Sequence, residues 1–131
     1  MSEGKFSIVY TTKGSPESTR GLPFDLIKKT ILGKNYELSI VFCGPKRSRF
    51  LNKKFRGQDK PTDILSFPLS KGSGEIFIDI SSAEKEARKF NRPLRNFLLF
   101  LFIHGAVHLK GFKHGSKMEQ EEIIFRRKFK I

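Results

Sequence analysis

"RPLRNFLLFLFIHGAVHLKG", residues 92–111, decides how this chain folds. Pro93 suits the start of a helix, where its missing N–H is not needed, and Gly111 suits the end. Between them nearly every side is apolar, and a helix apolar all round has to be covered by other elements. The stretch therefore predicts a central buried helix. It also carries His104 and His108, and His114 follows six residues later; the chain has three histidines in all.

The neighbouring segments supply the cover. "SSAEKEARKFN" (81–91) predicts a helix opened by a capping box, Ser81 with Glu84. "SKMEQEEIIFRRKFKI" (116–131) predicts a last helix with a second box, Ser116 with Glu119. Its acidic first turn and basic last turn complement the helix dipole. Further upstream, "FSIVYTT" (6–12) predicts a strand, "TKGSPESTRG" (12–21) a loop and "PFDLIKKTILG" (23–33) a helix. In that helix Phe24, Ile27 and Ile31 share one face, and Gly33 ends it. "YELSIVFCG" (36–44) suits an inner strand. "KRSRFLNKKFRG" (46–57) has Phe50, Leu51 and Phe55 at helical spacing in a basic background and closes at Gly57. "PTDILSFPLS" (61–70) is extended and ends at Pro68. "GEIFIDIS" (74–81) predicts a strand with Ile76, Ile78 and Ile80 on one face.

No repeat or linker interrupts the chain, so residues 1–131 are expected to form a single domain. The element order predicts an α+β fold, a mixed β-sheet of about four strands packed with helices, with a metal site on the central buried helix. Phenylalanine, fourteen of 131 residues, is the expected filler of a core without tryptophan. Cys43 reads as a small buried residue. "MSEGKFSIVY" lacks a signal-peptide pattern, and the longest apolar run, "FLLFLFI" (97–103), is too short to cross a bilayer. The expectation is a cytoplasmic protein without a membrane partner.

The formal charge is +13. Such an excess favours a polyanion, nucleic acid above all, over a neutral partner; general lysine enrichment is the plain alternative. Seven basic residues, Lys46, Arg47, Arg49, Lys53, Lys54, Arg56 and Lys60, face one acid, Asp59, between positions 46 and 60. On a helix they form a ridge able to follow RNA phosphates, although a solvated face is the usual meaning of such a run.

His104 and His108, four apart, project from one helix face with Cβ atoms about 5–6 Å apart, a spacing that suits two ligands of one ion. Gly111 lets the chain turn back and brings His114 from another direction. Three protein ligands and one open position is the pattern of catalytic rather than structural zinc. Zinc is the first choice for imidazoles; nickel, copper and iron stay open on ligand type. A single histidine on an apolar helix is ordinarily a hydrogen-bonded core residue, but three together are harder to assign that way. The general-base glutamate of helical zinc peptidases would follow the first histidine, where this chain has Gly105. Peptidase chemistry thus loses its base, and the glycine instead predicts close approach of another segment.

"HGAVHLKGFKH" (104–114) resembles the signature of the YbeY family, His-Gly-x-Leu-His-Leu-x-Gly-Tyr-Asp-His. "LNKKFRGQDKPTDILSFP" (51–68) is similar to that family's second diagnostic block, and "GEIFIDISSAEKEA" (74–87) to its strand and following helix. The resemblance implies a bacterial single-strand-specific endoribonuclease that matures ribosomal RNA, notably the small-subunit 3′ end, with the small ribosomal subunit and its proteins as partners. It implies one zinc ion on His104, His108 and His114, and catalytic roles for Arg56 and His114. Asp63 and Ser66 are weaker candidates, for orienting water or a ligand, and turn or capping roles suit them equally. Val107, Phe112 and Lys113 depart from the signature; Lys113 replaces its usual aspartate. The other class of function left open is a non-catalytic, metal-stabilised factor of ribosome assembly that binds RNA. A metal-dependent hydrolase of another substrate stands behind both.

Overall fold

The computed structural model describes residues 4–12 and 15–131. Strands β1 (Phe6–Tyr10), β2 (Glu37–Cys43), β3 (Ile64–Ser70) and β4 (Ser73–Asp79) form one sheet in the order β1-β2-β4-β3. β1, β2 and β4 run parallel, and β3 lies antiparallel to β4 at one edge. The helices are α1 (Ser15–Thr19), α2 (Phe24–Leu32), α3 (Pro45–Arg56), α4 (Ile80–Lys89), α5 (Leu94–Leu109) and α6 (Ser116–Phe129). This is the expected α+β fold with a four-stranded mixed sheet. Of the loop expected over 12–21, residues 13 and 14 lie outside the described residues, and 15–19 form the short helix α1.

Alternation along the strands sorts the residues into two layers. Leu38, Ile40 and Phe42 of β2, Ile76 and Ile78 of β4 and Ile64 of β3 join the main core. α5 lies across this face as predicted, with α2, α4 and α6 packed around it, and ten of its sixteen residues are buried. Val41, Cys43 and Leu65, also buried, lie outside that cluster, beneath α3 on the other face. α3 covers this second face only in part, and Phe55 at its end meets Phe67 of β3.

Several local expectations are corrected. Ser81 does not cap α4: buried Asp79 does, accepting from the Ser81 backbone N–H (3.1 Å) and from the hydroxyls of Ser81 (2.9 Å) and Ser82 (2.6 Å). A carboxylate fixed at the end of a strand reaches the first turn before a serine inside that turn can. Ile80 accordingly begins α4 instead of extending β4. Ser116 does not cap α6 either: Gly115 takes the cap position, and its carbonyl accepts from the Glu119 N–H. Pro68 lies within β3, which tolerates it as an edge strand with an irregular register there. On α3 the helical spacing of Phe50 and Phe55 does not bury them; they are 59% and 57% exposed, while Ser48, Leu51 and Asn52 face inward.

Asp79→Ala removes the cap of α4 and leaves the Ser81 N–H and the Ser81 and Ser82 hydroxyls without their acceptor. A loss of about 2 kcal/mol in urea denaturation is expected, with Asp79→Asn closer to wild type.

Candidate active site

α5 reaches the sheet edge through a glycine. A Cβ built on Gly105 would stand 2.8 Å from Ser66 Oγ, 2.9 Å from Ile64 Cδ1 and 3.1 Å from Ile76 Cδ1. A larger residue would require the Ser66 hydroxyl and the Ile64 and Ile76 side-chain ends on β3 and β4 to shift, so the close approach expected from sequence is present. It sets His104 and His108 beside the inner side of β3. At the end of α5 the chain reverses through Gly111 (φ 114°) and Gly115 (φ 154°), backbone conformations that L side chains rarely adopt. His114 sits between these two glycines, and its ring centroid is 5.4 Å from that of His104 and 5.5 Å from that of His108.

The three imidazoles share a cavity of about 440 Å³ with Arg56, Gln58, Thr62, Asp63, Ile64 and Ser66. Sequence reading named His104, His108, His114 and Arg56 from elements nearly fifty residues apart, and the fold brings all four to this cavity. It brings Asp63 and Ser66 there as well. The remaining basic residues are elsewhere: Lys46, Arg47, Arg49, Lys53, Lys54 and Lys60 are exposed along α3 and the loop after it. Arg49 is tied to Asp59 at 2.8 Å, and this pair, Lys46 and Lys60 border a separate cavity of about 300 Å³.

Three contributors escaped the sequence reading. Glu122 of α6, 8% exposed, meets His104 Nδ1 at 2.9 Å and stands 3.8 Å from Arg126. With Nδ1 engaged, His104 presents Nε2 to the cavity chemistry. Met118, Glu122 and Phe125 are buried at helical spacing, so a carboxylate on the inward stripe of α6 was the available signal. Ser48 and Asn52, on the inward face of α3, hold the loop that lines the cavity. Ser48 Oγ donates to the Thr62 carbonyl (2.6 Å) and accepts from its N–H (2.8 Å), and Asn52 Nδ2 donates to the Lys60 carbonyl (2.8 Å).

Burial first, then His114, His104 and Arg56, hold the His108 imidazole below its ordinary pKa, so the ring is neutral at neutral pH. Burial, reinforced by Glu86, raises the Asp63 carboxyl above the ordinary range. His108 Nδ1 is buried without a hydrogen-bond partner. Among the described residues no three His, Cys, Asp or Glu side chains stand in the arrangement of a formed metal site.

A model of the Endoribonuclease YbeY family matches residues 20–131. A Sulfurihydrogenibium relative called Endoribonuclease YbeY is 34% identical over 121 residues, 85% of this chain and 80% of that protein. One of the same name from Thermotoga maritima is 33% identical over 108 residues, 81% and 71% of the two chains. In fold, the chain is similar to a Thermotoga maritima protein solved in solution, with a TM-score of 0.67 and 29% identity over 95% of this chain and 91% of that one. With the cavity described above, these likenesses define an endoribonuclease, a hydrolase of phosphodiester bonds. The chain belongs to the Endoribonuclease YbeY family.

Gly105→Ala tests the approach of α5 to the sheet. Helix propensity would gain about 1 kcal/mol, but overpacking against two strands costs about 1–3 kcal/mol. A net loss near 1 kcal/mol is expected by chemical denaturation; a gain would mean that the β3 edge yields freely.

Proposed function

We propose that this protein cleaves single-stranded ribosomal RNA with a metal ion held by His104, His108 and His114, acting in small-subunit rRNA maturation in the cytoplasm. The observation that carries the reading is the shared cavity of three imidazoles and one guanidinium, supplied by α3, α5 and the turn after α5. Among the described residues no helix is long and apolar enough to cross a membrane.

The residues fit a zinc ion. With bonds of about 2 Å from nitrogen to metal, two imidazoles on one tetrahedral ion hold their ring centres roughly 5 Å apart. The separations of His114 from the other two rings, 5.4 and 5.5 Å, are close to that value. Glu122 behind His104 is the carboxylate partner that orients a ligating imidazole. The depressed pKa of His108 keeps its lone pair available, and its unpartnered buried Nδ1 leaves a polar atom for a ligand to satisfy. When bound, the ion would supply Lewis acidity toward a phosphoryl oxygen.

The chain's own groups do the rest. Arg56 has a planar fork of donors suited to two oxygens of one phosphate, and from the end of α3 it can clamp the scissile group while charge grows on it. Ser48 and Asn52 keep the 57–63 segment in place, so Thr62 and Asp63 border the substrate as fixed walls. The exposed cations of α3, Lys46, Arg47, Arg49, Lys53 and Lys54, with Lys60 after it, attract the flanking phosphates. The small ribosomal subunit is the partner this substrate implies.

His114→Ala should lower single-strand cleavage by about a hundredfold or more while RNA affinity stays near wild type, as the affinity comes chiefly from the cations. A chelator should stop cleavage, and metal analysis of native protein should find about one zinc per chain. RNA bound but left intact by metal-loaded protein would instead favour the assembly factor. Glu122→Gln should weaken zinc binding about tenfold to a hundredfold in competition with a chromophoric chelator. Unchanged affinity would reduce Glu122 to a core partner of Arg126.

A further inference from the structure

On the far side of β3 from the histidines lies an aromatic surface that the cleavage chemistry does not use. Phe50 and Phe55 of α3 are exposed. Phe55 packs on half-buried Phe67 (centroids 5.0 Å, 57°), and Phe67 on half-buried Phe77 (5.8 Å, 72°). Lys54 Nζ lies 5.4 Å from the Phe55 centroid and 5.9 Å from that of Phe50. Exposed rings of this size forgo burial energy, so their clustering calls for an occupant.

Position and charge identify it. Phe55 directly precedes Arg56, and Phe67 directly follows Ser66; Arg56 and Ser66 both line the histidine cavity. Neighbouring strand residues point to opposite faces, so the rings and the cavity lie on either side of β3. β3 is an edge strand, which leaves the way around it open. A chain leaving the cavity over this edge meets the rings next. A protein-binding patch is ordinarily depleted of lysine at its centre, whereas single-strand nucleic-acid sites interleave rings with cations. Here Lys54 reaches both exposed rings, and Lys53 and Arg49 are exposed on the same helix.

The geometry points to Phe50 and Phe55 as a stacking platform for unpaired bases of the RNA on one side of the scissile phosphate. This rests on the proposed ribonuclease function and adds a subsite to it. The platform favours unpaired RNA because a base must leave its own stack to lie on a ring, which a duplex resists.

The test is fluorescence anisotropy with an unstructured oligoadenylate of about twelve nucleotides, a length spanned by single-strand sites. The binding protein is the full chain carrying His114→Ala, so affinity is read apart from cleavage. Phe50→Leu and Phe55→Leu, which keep apolar volume at exposed positions, should each weaken binding about fivefold to tenfold, the effect of losing one base stack. The slope of log affinity against log salt should stay unchanged. Lys54→Gln should instead flatten that slope by about 0.7, the loss of one phosphate contact. Wild-type affinity in both leucine variants, at unchanged thermal stability, would overturn the platform, whether the patch then holds a protein or nothing. The ribonuclease reading is judged separately, by whether His114→Ala abolishes cleavage in the otherwise wild-type chain.

Discussion

The contact on which the rest depends is the seating of α5 on the β3–β4 edge at Gly105. One absent methyl group lets a helix come against the side chains of Ser66, Ile64 and Ile76 more closely than a Cβ ordinarily stands. Because α5 is also the helix around which α2, α4 and α6 gather, its depth sets the level of the whole helical layer. The same seating determines where His104 and His108 stand relative to β3. Packing and chemistry are therefore one constraint: a helix held higher would loosen the core and withdraw both histidines from Arg56.

α3 complements that arrangement from the opposite face. Its inward side is mostly polar, Ser48 and Asn52 around Leu51, which is poor for burying area and good for holding backbone. Paired donors and acceptors from Ser48 fix Thr62, and Asn52 fixes the carbonyl of Lys60. Buried polar groups are tolerated when they are hydrogen-bonded; the Ser48 hydroxyl and the Asn52 amide nitrogen are, although Asn52 Oδ1 has no partner, and these bonds hold a connection without regular structure as a wall of the cavity. With the inward side so used, the basic and aromatic residues of α3 are left to solvent, where a polyanion can reach them.

The sequence made α5 and the strands legible because their signals are long-range averages over many residues: an apolar surround in one case, alternation in the other. The histidines and Arg56 were legible through spacing and motif. The failures lie where two local chemistries compete. Ser81 and Ser116 each head a capping box, yet Asp79 and Gly115 take the caps, because the preceding strand and turn had already fixed the entry of the chain. Phe50 and Phe55 have the hydrophobicity of core residues but occupy a helix that covers its sheet only in part. Glu122 was written on the inward stripe of α6, between Met118 and Phe125, but a single carboxylate there acquires meaning only once α6 is known to lie behind His104.

The charge balance of the cavity carries the argument from site to substrate. The cations about it, Arg56 in its wall and exposed Lys113 on the His114 turn, outnumber the carboxylate that lines it, Asp63, whose pKa burial raises. Glu122 stands behind His104 and is shared with Arg126. A divalent ion bound as proposed, through imidazoles, would keep its full charge, whereas one held by carboxylates would have much of it cancelled within the protein. Compensation must then come from what enters the cavity, and a phosphodiester flanked by further phosphates supplies it. Lys113, in place of the acid usual in the family signature, moves the balance the same way: it leaves no carboxylate next to His114, the proposed ligand, and would leave the substrate as the principal anion of the site.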